Sequence, residues 1–204
     1  MRGKRILTTL ASLVTSAYIA LSPIQTEAQQ PSRAGKWYLG LLGELGKPYT
    51  PSEFKDYFSN SASFGLAYGR LPLGNITGEF STQYTRFFPR SSQPMQFNSL
   101  EIGMEMRAYF DHVNDNSAAL YVALGANLAL TELKVPLKNV QGLLRPGDKL
   151  SEQKPAIVGG AGVVLFAGNN VAIDIGARYH WIATADQPTS FTTLGGRCNF
   201  LFGK

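Results

Sequence analysis

Apolar and polar residues alternate with a period of two along most of the chain beyond residue 35. In the clearest case, the segment 99–110, every even-numbered position is apolar, whereas Glu101, Glu105 and Arg107 occupy odd-numbered positions. A helix over these residues would have no continuous apolar stripe. A strand separates the two sets completely, because successive side chains point to opposite faces. The pattern therefore predicts a β-strand with one apolar face.

Eight segments, most of them about ten residues long, are predicted to be strands on this basis. They are Trp37–Glu44, Ala62–Gly69, Ile76–Tyr84, Ser99–Phe110, Ala119–Thr131, Ala156–Phe166, Val171–Trp181 and Thr192–Phe202. The segment 156–166 is apolar at both parities, so the pattern does not predict which of its residues face inward.

The connections between these segments alternate between long and short. The short ones, at 70–75, 111–117 and 167–170, are rich in the Asn, Asp, Gly and Pro residues that tight reversals require. The longer ones are 46–61, 87–96, 132–154 and 183–190. Long loops on one rim and short turns on the other predict an all-β fold, an eight-stranded antiparallel up-and-down transmembrane β-barrel.

The polarity of the two strand faces predicts that the barrel lies in a membrane with a filled lumen. Apolar faces suit contact with lipid, and an eight-stranded barrel is just wide enough for side chains to fill it. Nine titratable residues share the opposite face and are predicted to form a charge network in the lumen, five of them (Glu101, Glu105, Arg107, Arg178 and Arg197) at similar depth. The nine are Glu44, Glu79, Glu101, Glu105, Arg107, Asp174, Arg178, His180 and Arg197.

The start of the chain has the composition of a secretory signal. Arg2, Lys4 and Arg5 precede a mainly apolar, uncharged stretch, and small residues lie near Ala28. A cleaved signal peptide is therefore predicted at residues 1–28, with export through the Sec pathway and a mature barrel domain at 29–204. Removal of this basic segment lowers the formal net charge below its value of +5 for the full chain. The remaining positive charge is too small to predict nucleic acid as a partner.

The six residues Phe64-Gly65-Leu66-Ala67-Tyr68-Gly69 have a glycine and aromatic spacing found in one known class of barrel. Over nearly all of residues 35–202 the chain resembles the small outer-membrane β-barrel superfamily that includes the OmpA- and OmpX-type barrels. The last strand also resembles the C-terminal assembly signal of that class, although Gly203 and Lys204 follow its final aromatic residue. The resemblance implies a location in the bacterial outer membrane, insertion by the barrel assembly machinery, and contact with lipid and lipopolysaccharide.

Within that superfamily, the order of four stretches is similar to the TraO-type proteins of conjugative transposons in Bacteroidota. The stretches are Leu100–Phe110, Leu120–Lys134, Ala167–Trp181 and Phe191–Lys204. This second resemblance implies an outer-membrane component of a conjugative transfer apparatus. The alternative is a general envelope-integrity or adhesion barrel.

Two further classes of protein are weighed against this interpretation. The segment 35–38, Gly-Lys-Trp-Tyr, resembles the opening signature of lipocalins, which bind small apolar ligands, but the later lipocalin motif and the helix after the barrel are missing. Lipid A-modifying barrels use a histidine with serine and an acid. His112 lies in a predicted turn, and no serine shares the strand face of His180. We therefore predict a non-enzymatic protein, with no catalytic residue, no cofactor and no metal site.

The longest connection, 132–154, is the predicted interaction site. It mixes basic and apolar residues, a composition that suits contact with a protein partner or with the anionic lipopolysaccharide surface. Its candidate contact residues are Lys134, Leu137, Lys138, Val140, Leu143, Leu144, Arg145 and Lys149.

Overall fold

The computed structural model describes residues 33–90, 95–110, 118–134, 149–184 and 187–203. Eight strands pair in sequence order, each antiparallel to its neighbours, and pairing of the first with the last closes the barrel. They are β1 (Trp37–Thr50), β2 (Phe58–Arg70), β3 (Ile76–Pro89), β4 (Gln96–Tyr109), β5 (Ala118–Lys134), β6 (Lys149–Ala167), β7 (Val171–Ile182) and β8 (Thr189–Phe202). The predicted eight-stranded up-and-down barrel is confirmed.

One short helix, α1 (Ser52–Tyr57), lies between β1 and β2. Within the ranges given above, no helix has the length and hydropathy needed to cross a bilayer. The predicted signal peptide falls outside those ranges, as does His112.

The rows of paired residues climb around the barrel. A row that starts at Tyr38 on β1 and follows the pairings through the other seven strands returns to β1 at Pro48, ten residues further along. This stagger corresponds to a strand tilt of about 40°. Each step to the next strand therefore moves the row toward the long connections by slightly more than one residue. This shift fixes the relative height of every side chain along the barrel axis.

The inward and outward faces agree with the alternation pattern. On β4, Glu101, Glu105 and Arg107 are buried in the lumen while Met104 and Met106 are exposed on the outer surface. On β6, whose facing the pattern left open, Val158 and its even-numbered neighbours point inward. Its inner face is apolar because both of its ends meet apolar clusters.

Most strands extend further toward the rim of long connections than the pattern predicts. β1 continues to Thr50, and β6 begins at Lys149 rather than Ala156. Most outward residues of these extensions are polar, as at Lys47 and Gln153, so regular apolar alternation stops before backbone pairing does. The predicted polar loop 46–61 was wrong, because it contains the end of β1, α1 and the start of β2.

Apolar side chains close the lumen at both ends. The turn-end plug consists of Tyr38, Leu71, Tyr109, Ala119, Tyr121, Val164, Phe166, Ala172 and Leu201. The loop-end plug consists of Phe54, Phe58, Phe87, Phe97, Ala129, Ala156, Ile182 and Phe191. The charged residues of the lumen lie between the two plugs.

Candidate functional site

Arg107 on β4 is the centre of the charged layer next to the turn-end plug. Its side chain is completely buried. The guanidinium donates hydrogen bonds to Glu105 at 2.8 Å, to Asp174 at 2.6 Å and to Glu79 at 3.2 Å. Its Cζ atom also lies 4.5 Å from the ring centre of Tyr121. Three acids from three strands therefore converge on one cation.

A second arginine shares two of these acids. Arg197 on β8 donates to Glu79 at 2.6 Å and to Asp174 at 2.8 Å. The hydroxyl groups of Tyr38 and Tyr121 donate to the same two carboxylates, at 2.5 Å and 2.7 Å respectively. The tyrosines thus belong to the turn-end plug through their rings and to the charged layer through their hydroxyl groups.

The next layer toward the loops is built around Arg178 on β7. Its guanidinium forms ion pairs with Glu44 and, at 3.3 Å, with Glu105. The amide of Gln83 donates to the other oxygen of Glu44 at 3.1 Å. Because Glu105 contacts both Arg107 and Arg178, the two layers form one continuous network.

The third group lies below the loop-end plug and consists of a histidine and an acid. Nδ1 of His180 is 3.2 Å from Glu101, and Nε2 is 3.3 Å from the hydroxyl of Thr193. The imidazole stacks on Phe191 with 4.4 Å between ring centres. Asn127 donates to the same Glu101 oxygen at 3.3 Å.

An acid, a histidine and a hydroxyl in this order are the components of a nucleophilic site. Here His180, Glu101 and Thr193 are all buried within the lumen. The cavity beside His180 measures about 10 Å³, which is room for about one water molecule. In the described part of the lumen, the geometry leaves no space for a substrate at the hydroxyl group.

The structure places all nine predicted lumen residues inside the barrel. Eight of them are buried, and the side chain of Arg178 is 10% exposed. The similar depth predicted for five of them was wrong, because strand register separates Glu101 from Arg107 by six residues along β4. Among the residues that the structure describes, no group of three or more His, Cys, Asp or Glu side chains is arranged to hold a metal ion.

A cavity of about 390 Å³ lies at the loop-end mouth, outside the loop-end plug. It is lined by Pro51, Glu53, Phe97, Thr131, Leu133, Leu150, Glu152, Thr184, Gln187 and Thr189. Its volume falls within the range of small-molecule sites. The alternation pattern did not indicate it, because most of the lining residues come from strand extensions and from the connections between strands, including α1.

The predicted interaction loop 132–154 is shorter than expected. Lys134 and Lys149 are strand residues, paired with each other at the ends of β5 and β6. The pattern did not predict this extension, because residues such as Ser151 and Gln153 are polar and do not continue the apolar alternation. The other candidate residues lie outside the described ranges; they are Leu137, Lys138, Val140, Leu143, Leu144 and Arg145.

Phe54 of α1 anchors the first long connection over the lumen. Its ring centre lies 4.9 Å from that of Phe87 and 5.0 Å from that of Phe97. Phe54→Ala is expected to raise the rate of tryptic cleavage after Lys55 by about tenfold or more, because α1 then opens at lower free-energy cost. The control is Tyr57→Ala, which removes an exposed ring of the same helix. Equal cleavage rates in both variants would contradict this role.

No protein-family model matches the chain, and no curated protein sequence matches it. Solved structures do match in fold. The crystal structure of Neisserial surface protein A has a TM-score of 0.61 at 16% identity, covering 81% of this chain and 97% of that one.

Two further outer-membrane structures have the same fold. Outer membrane protein OprG from Pseudomonas aeruginosa has a TM-score of 0.54 at 10% identity, covering 87% of this chain and 100% of that one. Ail, the attachment invasion locus protein of Yersinia pestis, has a TM-score of 0.53 at 17% identity, covering 83% and 99%. The chain therefore has the fold of the small outer-membrane β-barrels, as its resemblance to the OmpA- and OmpX-type barrels implied.

Proposed function

We propose that this protein is a non-enzymatic barrel of the bacterial outer membrane that acts through its loop-end rim. In this proposal residues 1–28 direct export through the Sec pathway, and the barrel assembly machinery inserts the mature domain 29–204. The observation that carries the proposal is the closed lumen: two apolar plugs enclose a continuous charge network. A lumen filled in this way supports interaction at the rim rather than at a ligand site or channel inside the barrel.

The outer surface supports the membrane location. Leu124 on β5 is 62% exposed, and large apolar side chains alternate along every strand around it. At the turn end, Trp37 stacks on Tyr68 with 5.3 Å between ring centres, as expected for an aromatic girdle at a bilayer surface. An apolar surface of this extent would be unfavourable in water.

The rim supports a binding role. It carries the long connections, the 390 Å³ cavity and the basic, apolar stretch 135–148. For the biological role we propose an outer-membrane component of a conjugative transfer apparatus, which rests on the resemblance to TraO-type proteins. The alternative is a general adhesion or envelope-integrity barrel that uses the same rim.

Replacement of residues 137–148 by a short Gly-Ser linker tests this proposal in the host. The barrel is expected to remain in the outer-membrane fraction with heat-modifiable migration, while conjugation frequency falls to that of the deletion strain. Normal transfer with loss of surface attachment or of detergent resistance would favour the alternative role. Full activity in all three assays would contradict a function carried by this loop.

The purified protein is expected to give no stable conductance steps in planar bilayers. Both ends of the lumen are apolar, and the interior cations are held by two or three acids each. A porin reconstituted in parallel serves as the positive control. Steady channel openings of the wild-type protein would show that the lumen is not closed.

A further inference from the structure

The outer surface near the loop end differs in character from one side of the barrel to another. On β5, β6 and β7 outward apolar side chains continue up to Leu130, Pro155 and Trp181. The climb of the paired rows puts Lys47 on β1 and Arg86 on β3 at this same height. The β1–β3 side therefore presents cations at a height where β5, β6 and β7 present apolar side chains to the bilayer.

The two cations lie close enough together to act on one ligand. Arg86 pairs with Ala62 and Ala62 pairs with Leu45, so Lys47 is two strands across and two residues along from Arg86. These steps correspond to about 12 Å between the two Cα atoms. Both side chains point outward, with exposed Asn60 on β2 between them.

Neither cation is neutralised by the part of the protein that the structure describes. Lys47 and Arg86 are exposed, and no carboxylate there forms an ion pair with either of them. The lysines on the opposite side differ: Lys134 contacts Glu132 at 3.4 Å, and Lys154 contacts Glu152 at 3.6 Å. Among the described residues, the β1–β3 side is thus the part of this rim with uncompensated positive charge.

The surface below the cations suits acyl chains. Leu45 is 71% exposed and Phe64 is 64% exposed, and the ring of Phe64 packs on Tyr84 with 5.2 Å between ring centres. Cations directly above an apolar and aromatic surface match an amphiphile with an anionic head group.

We propose that Lys47 and Arg86, with Asn60 between them, bind the two phosphate groups of one lipid A molecule. This inference rests on the proposed outer-membrane location, in which the long-loop rim meets the outer leaflet. Lipid A carries phosphates at both ends of a disaccharide, which fits two cations at one height. A glycerophospholipid offers a single phosphodiester and can neutralise only one of them at a time.

The full chain, purified in detergent, can be tested by native mass spectrometry with bis-phosphorylated lipid A, monophosphoryl lipid A and phosphatidylglycerol. The wild-type protein is expected to bind the bis-phosphorylated form most strongly. The double variant Lys47→Gln/Arg86→Gln is expected to bind it about thirtyfold more weakly, since each cation near a lipid surface contributes about 1 kcal/mol. The control with the same change of net charge is Lys134→Gln/Lys154→Gln, which removes two lysines near the mouth that already have carboxylate partners.

Equal affinity of the double variant and the wild type for bis-phosphorylated lipid A would overturn the proposal. Equal affinity of the wild type for phosphatidylglycerol and lipid A would also overturn it, because the site would then bind any anionic head group. Cell fractionation separates this result from the proposed function. A wild-type protein found outside the outer membrane would refute the function, whereas loss of selectivity in a correctly located protein would refute only this site.

Discussion

Replacement of Arg107 by methionine is expected to lower the free energy of unfolding by about 3–5 kcal/mol. The variant leaves Glu79, Glu105 and Asp174 in a closed, apolar-ended lumen without the cation that contacts all three. Buried charges that lose their partner cost several kcal/mol each, because no water can replace it. Urea unfolding in lipid vesicles, followed by heat-modifiable migration, measures the change.

Two comparisons make this experiment specific to the network. Arg90→Met removes an exposed arginine immediately after β3 and is expected to change stability by less than about 0.5 kcal/mol. Adding Glu79→Gln to Arg107→Met removes one of the stranded charges and is expected to restore part of the loss. A double variant less stable than Arg107→Met alone would contradict the proposed charge balance.

Replacement of Leu124 by arginine is expected to destabilise the barrel in lipid by about 2–4 kcal/mol. Leu124 lies midway along β5 on the outer surface, at the depth of the bilayer centre, where a charge is most costly. The same unfolding assay in vesicles measures the effect. The loss is expected to be smaller in short-chain detergent, which solvates the new charge more easily.

The control for this variant is Gln153→Arg, at an exposed, outward position of β6 above the apolar band. It is expected to be nearly neutral. Gly125, the neighbouring lumen position, is not a suitable control, because a Cβ atom there would lie 2.9 Å from the carbonyl oxygen of Met104. Equal destabilisation at positions 124 and 153 would mean that the assigned outer face of β5 or its depth is wrong.

The period-two pattern predicted the barrel because a lipid-facing surface imposes apolar residues at every second position. The segment 99–110 shows this constraint throughout, and the inward positions of its charges follow from parity alone. The face on which a residue lies does not indicate how deep its side chain is in the lumen, however. Glu101 and Arg107 share a face but belong to different layers, and only the stagger of the eight strands separates them.

The pattern could not predict the loop-end mouth. Above the bilayer the outward residues contact water, so strand positions such as Gln153 lose their apolar alternation although backbone pairing continues. Phe54 lies in the stretch 46–61, which has no apolar alternation, and its partners Phe87 and Phe97 are distant in sequence. The cavity depends on the same extensions, and no periodicity marks it.

The contacts of the charge network join residues that are far apart in the chain. Arg197 and Glu79 are separated by 118 residues, and Arg178 and Glu44 by 134. A growing sheet that lacks β8 therefore holds Glu79 and Asp174 without one of their two arginines. Every incomplete barrel carries unmatched charge, and only the last strand pairing removes it. The network consequently makes closure cooperative and favours the finished barrel over the open sheets that precede it during insertion.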